Sequence, residues 1–286
     1  MAGKKKRWLA LPVAVVLASM LALAGCGEAA TTEEPGDSPP AKQEKSTITE
    51  AGSTTVQPVA EKLGHAFTRK YPDVTVVVQG GGSSTGVKSA AAGTVDIGAA
   101  SRELKESEKT LGLVTHVLAQ DGIAIVAHPS QVVSDLSKEQ VRDIFAGEIT
   151  RWSEVGGADR EIHVVAREEG SGTRAAFEEM VMGEVLIGAG AILQASNGAV
   201  RTAVAGDADA IGFLSFGYIN DTIKALSING VAATVANTNS GKYPVVRPLL
   251  FLTKGQPAGV VKQFIDFCLG PEGQAIVEGE GYMSAY

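Results

Sequence analysis

Residues 74–100 read VTVVVQGGGSSTGVKSAAAGTVDIGAA. A run rich in β-branched residues, 74–79, breaks at Gly80-Gly81-Gly82-Ser83-Ser84-Thr85-Gly86. An Ala-rich segment follows, and then a second apolar run at 95–100. Strand, tight loop, short helix and strand make a β-α-β unit, whose parallel strands need a covering helix. A continuous apolar run such as 74–79 predicts a strand buried on both faces. The spacing therefore predicts an α/β chain rather than an antiparallel sandwich.

The same rhythm extends in both directions. Upstream, 47–51 reads as a strand and 55–70 as a helix, with Pro58 tolerated in its first turn. Downstream, GIAIVA at 122–127 reads as a central strand. Ser137 and Gln140 have the spacing of a capping box for a helix ending near Gly147. Residues 162–166 form the next expected strand, followed by a helix from Thr173. Asn197 is expected to cap a helix through Ala205, and 210–214 to form another strand. The stretch 245–253 is apolar around Pro248, and two helices holding Cys268 and Ile276 close the chain. Val260, Val261, Phe264, Ile265 and Cys268 share one helical face, so Cys268 reads as a small buried hydrophobe. No repeat of solenoid period is present.

The 286 residues are 44% hydrophobic, enough for one large core or two ordinary ones, and 5% aromatic with 34 glycines, as many strand-to-helix turns require. The formal net charge is −7. Four of the bases, Lys4, Lys5, Lys6 and Arg7, open an export signal, so the remaining chain is more acidic still. That balance argues against nucleic acid as a partner. Any anion site must work through local dipoles and a few buried cations.

The apolar run at 8–23 is short for a membrane span. It ends in Leu23-Ala24-Gly25-Cys26, which resembles a bacterial lipoprotein signal in which Cys26 is lipidated. Residues 1–26 are thus expected to be a signal peptide, and the polar, Pro-containing 27–45 a flexible tether. With Cys26 lipidated and Cys268 buried, no disulfide is expected.

Three strand-to-helix junctions share one chemistry: Gly52-Ser53-Thr54-Thr55, then 80–86, then Arg167-Glu168-Glu169-Gly170-Ser171-Gly172-Thr173. The first N–H groups of a helix lack internal partners and carry partial positive charge. Glycines let the backbone approach an anion, and hydroxyls add donors. Ser and Thr are also ordinary N-caps, so one such loop is a weak signal. Three at the carboxyl ends of strands mark the edge where open α/β sheets bind ligands. Arg167 adds a planar, permanently charged fork, with Glu169 placed to hold it; the alternative is a surface arginine paired with Glu168 or Glu169.

On GSTTVQPV (52–59), QGGGSSTGVKSAAAGTVDIGAASREL (79–104), IFAGEITRWSEVGG (144–157), REEGSGTRAAFEE (167–179) and AIGFLS (210–215), the chain resembles the PstS family, in its shorter lipoprotein form. These are the phosphate-binding receptors of phosphate-specific ABC importers. The resemblance covers 47–286. It implies a two-lobe periplasmic-binding-protein-like (type II) α/β fold, with two crossover hinge strands near 122–127 and 245–253. Lobe I would comprise 46–124 and 248–286, and lobe II 125–247. It implies phosphate donors at Thr54, Thr55, Ser83, Arg167, Ser171, Gly172 and Thr173. It further implies an extracytoplasmic, lipid-anchored monomer that delivers inorganic phosphate to permease subunits, with no cofactor, no metal and no catalysis.

One position departs from the pattern. Some family members carry an Asp where this chain has Ser101, and that Asp accepts the proton of monohydrogen phosphate. Ser101 can donate or accept, and is expected to contact the anion. Arg102 beside it is either a second positive charge or half of a surface pair with Glu103 or Glu106. Among binding proteins the alternative is a receptor for another oxyanion, sulfate or molybdate.

The alternative outside binding proteins is a serine hydrolase. Residues 82–86 fit G-x-S-x-G, which would make Ser84 a hydrolase nucleophile. No Asp-then-His order follows to complete a triad. The loop misses a P-loop because Val87 separates Gly86 from Lys88. His65, His116, His128 and His163 have no metal-ligand spacing.

Overall fold

A computed structural model describes residues 45–285. The expected signal peptide with Cys26, and all of the tether but Lys45, lie outside the described residues.

In chain order the first elements are β1 (Ser46–Gly52), α1 (Gln57–Lys70), β2 (Val74–Gln79), α2 (Ser83–Ala92), β3 (Ile97–Ala100) and β4 (Leu113–Ala127). Next come β5 (Asp135–Leu136), α3 (Lys138–Ala146), β6 (His163–Arg167), α4 (Gly172–Phe177), β7 (Ile192–Gln194), α5 (Asn197–Ala205) and β8 (Ala210–Ser215). The chain continues with β9 (Lys224–Ile228), α6 (Val235–Asn239), β10 (Val246–Lys254), α7 (Gly259–Leu269), α8 (Pro271–Gly279) and β11 (Met283–Ser284).

The architecture is two α/β lobes. In the first, β1 lies parallel between β2 and β3, and β10 runs antiparallel between β3 and β4. In the second, the C-terminal part of β4 pairs antiparallel with β8 and β9, and β8, β6 and β7 continue in parallel. The 15-residue β4 therefore serves both sheets. The chain passes from one lobe to the other along β4 and returns at β10. Val245 O accepts from Ile123 N at 3.0 Å where the two crossings run side by side.

Two large apolar clusters fill the lobes, beside a smaller one around Val87, Leu250 and Leu252. One gathers Ile48, Leu63, Phe67, Phe251, Phe264 and Cys268. The other gathers Ile125, Phe145, Trp152, Phe177, Phe213 and Val245. Phe177 and Phe213 stack with ring centres 4.1 Å apart. Cys268 is fully buried on the inner face of α7, as its helical periodicity predicts. The capping box of α3 is present: Ser137 Oγ accepts from Gln140 N, and Gln140 Oε1 accepts from Ser137 N. Such a cap stabilises a helix by about 1 kcal/mol.

Three local expectations need correction. β2 pairs only with β1, at the sheet edge, and Val77 is 37% exposed. A β-branched run signals strand propensity and does not tell a central strand from an edge one. β4 begins nine residues before Gly122: His116, Gln120 and Asp121 interrupt the hydrophobic pattern, yet all three pair with β10, on either side of a register shift at Leu249/Leu250. The cap of α5 is Ser196, whose Oγ accepts from Ala199 N. Asn197 is thereby left with its side chain buried in the cleft.

Candidate functional site

The three junctions do meet. At the first, Ser53 Oγ accepts from Thr55 N at 3.2 Å and from Val56 N at 3.4 Å, so Ser53 caps the turn. This leaves the hydroxyls of Thr54 and Thr55 for other work. Gly52 is required here: a Cβ would lie 2.3 Å from Ala99 O. At the second junction, Ser83 opens α2 fully buried, and its Oγ accepts from Ser101 N at 3.0 Å. Ser101 Oγ lies 3.4 Å from Ser83 Oγ. At the third, Ser171 caps α4 by accepting from Arg174 N at 3.2 Å.

The third junction belongs to the second lobe and packs directly on the other two. A Cβ on Gly172 would sit 2.1 Å from Ser83 Oγ and 2.6 Å from Ser101 Oγ. Only glycine allows that approach. Thr173 Oγ1 lies 3.1 Å from Thr55 Oγ1. At the mouth of the cleft, Ser84 N donates to Gly170 O at 3.1 Å, and a Cβ on Gly82 would meet the same carbonyl at 2.9 Å. Tyr218 reaches across to donate to Thr54 O at 2.6 Å, and Tyr282 donates to Thr55 O at 2.9 Å. Burial raises the Tyr218 phenol to about 12, so it remains a donor at any physiological pH.

Arg167 is 1% exposed. Its Nε donates to Gln194 O at 3.1 Å, and its Nη2 to Ala195 O at 2.9 Å and Thr54 Oγ1 at 3.2 Å. Its Nη1 is buried and has no partner among the described residues. Burial, together with the like charge of Arg247, lowers the guanidinium to about 10. It stays ionised at neutral pH.

Two expected supports are placed differently. Glu169 is exposed, lining an open cavity with Ser84 and Arg102, and does not hold Arg167; backbone carbonyls do. Arg102 is buried, but it forks onto Glu108 at 2.7 and 2.9 Å and donates to Glu103 O. Its partner is neither Glu103's nor Glu106's carboxylate, and Glu108 neutralises it. Ser84, the residue a hydrolase elbow would use, accepts from Arg102 Nη2 at 3.5 Å. Among the described residues no cluster of His, Cys, Asp or Glu could hold a metal.

The second guanidinium at the site is that of Arg247 on β10, which the sequence pattern did not single out. Arg247 is 2% exposed and forms a buried pair with Asp121, at 0%, directly across the β4–β10 ladder. It donates to Ser101 O at 2.8 Å, Ser101 Oγ at 3.2 Å and Thr55 Oγ1 at 3.2 Å. Asp121 Oδ1 accepts from Ser215 Oγ and Phe216 N in the other lobe. Burial pushes the Asp121 carboxyl up, against the pull of Arg247 and these donors. Asn197 completes the cluster: its Nδ2 donates to Thr55 Oγ1 at 2.8 Å. A charged residue inside an otherwise apolar strand was the available signal for Arg247 and Asp121 alike.

Fold and donor set together define a two-lobe binding protein whose cleft is lined by buried hydroxyls and guanidinium groups. A family model for the PBP superfamily domain matches residues 33–272. The phosphate-binding protein PstS of Bacillus subtilis is 34% identical over 98% of this chain and 94% of its own length. A Clostridium perfringens substrate-binding protein ascribed to a phosphate ABC transporter, solved with phosphate bound, superposes with a TM-score of 0.82 at 41% identity. That match covers 84% of this chain and all of the other. An ABC-type phosphate transport receptor from Vibrio cholerae gives 0.71 at 35%, over 82% of this chain and 99% of its own. The chain belongs to the PstS family of phosphate-binding proteins, within the PBP superfamily.

Proposed function

We propose that this protein is an extracytoplasmic receptor that captures inorganic phosphate between its two lobes and hands it to the permease of an ABC importer. The observation that carries the proposal is Arg167: a fully buried guanidinium whose Nη1 has no protein partner among the described residues, set among hydroxyls from both lobes. A tetrahedral oxyanion supplies acceptors in that geometry and neutralises the charge. The direct ligands are Thr54, Thr55, Ser83, Ser101, Arg167, Ser171, Gly172 and Thr173. Lobe I is taken as 46–124 with 248–286, and lobe II as 125–247. Because donors come from both, the anion favours the closed form. The anchor is a lipid on Cys26, the receptor works as a monomer at the outer face of the membrane, and its role is binding rather than catalysis. No helix among the described residues is long and apolar enough to cross a membrane.

Calorimetry on the full-length protein, with phosphate, sulfate and molybdate as competing ligands, tests this. Phosphate should bind and displace the other two. Binding of sulfate or molybdate with phosphate inert would replace the ligand, and no heat with any oxyanion would end the proposal.

A further inference from the structure

Arg247 lies outside the three junctions, yet it touches the hydroxyl of Thr55 in the first of them and that of Ser101 just after β3. An arginine can only donate. Ser101 Oγ and Thr55 Oγ1 must therefore accept from it, and Thr55 Oγ1 also accepts from Asn197. With both its lone pairs engaged, the Thr55 hydroxyl must turn its own proton away from Arg247 and Asn197, toward Thr173 Oγ1 at 3.1 Å. The Arg247 fork thus sets the polarity of the hydroxyl cluster, and Asp121 balances its charge so that the cluster meets the positive end of a neutral pair. Asp121 cannot serve the ligand itself. Its Oδ1 already accepts from Ser215 and Phe216, and its Oδ2 from Arg247 Nε and Nη2.

Resting on the phosphate reading above, we propose that Arg247, positioned by Asp121, makes this site select the doubly charged form of its anion. The ion pair presents its positive end to the hydroxyls and keeps its negative end against β8. The charged and titratable groups around Arg247 are Asp121 on β4, Arg167 at the end of β6, Tyr218 after β8 and Tyr282 before β11. Neither arginine loses its proton near neutrality, and both tyrosines are pushed upward by burial. Between pH 6 and 8 the ligand's second ionisation is the change the site senses.

The test is calorimetry of inorganic phosphate at pH 6 and pH 8 on the full-length protein. Wild type should bind more tightly at pH 8. An Asp121→Asn/Arg247→Gln double variant removes the pair without stranding a buried charge. It should lose roughly 10- to 100-fold in affinity at pH 8 and lose the rise with pH. Arg247→Lys keeps the charge and should keep the rise. A wild-type affinity that is flat in pH, or a double variant weakened equally at both pH values, overturns the inference. Wild-type protein that binds no phosphate at either pH sinks the receptor reading itself, a different result.

Discussion

Arg102 follows β3 and Arg167 ends β6, both at the edge of the cleft, and both are buried, at 4% and 1% exposure. Their surroundings make them opposites. Arg102 is met by a carboxylate that takes both arms of its fork. Arg167 is met by two main-chain carbonyls and a hydroxyl. A carboxylate cancels the charge, whereas carbonyl dipoles hold the side chain in place and leave its charge uncompensated. A buried arginine without an acid costs stability, and it is available to a ligand for the same reason.

Substitution at each arginine should separate the two roles. Arg167→Ala has the largest expected effect: phosphate affinity falls roughly a thousandfold, since a desolvated charge contact is lost, while the thermal midpoint does not fall. Near-native affinity by calorimetry would erase the contrast. Arg102→Met should do the reverse. It leaves Glu108 partly buried and unpaired, lowering stability by about 2 kcal/mol in denaturant melts, and changes phosphate affinity less than about threefold. The smallest effect concerns Glu108. Burial tends to raise this carboxyl, but hydrogen bonds from Arg102 and the Lys105 N–H, with the charges of both residues, hold it below the usual range. A depressed folded-state value means the contribution is complete above the unfolded value, near 4.5, and fades as pH falls through the folded one. Wild type should therefore exceed Glu108→Gln in stability at pH 6, by no more than ~1 kcal/mol given solvent screening, and the gap should narrow as pH falls below 4.5.

The junction residues were legible because their signal is local: a strand ends, glycines and hydroxyls follow, a helix begins. Thr54, Thr55, Ser83 and Thr173 all lie within such windows, and the structure brings them together. Arg247 and Asp121 lie 126 positions apart, and each looks like a lone charge in an apolar strand. Only the pairing of β4 with β10 makes them partners, and no window of sequence contains that register. Arg102 and Glu108 failed for a subtler reason. Three acids, Glu103, Glu106 and Glu108, stand within reach, and the turn between them decides which one closes the fork. The cap of α5 was missed by one residue, the usual scale of ambiguity at a helix terminus, yet that residue decides whether Asn197 caps a helix or reaches Thr55.

The contact of Gly82 with the Gly170 carbonyl has a consequence for release. Where the two halves touch at the entrance, peptide groups meet with no side chain between them. A door edged with bare main chain shuts without gasket or bolt. Even a single methyl on its lip would hold it ajar, so the protein could still greet its cargo but would be slow to keep it.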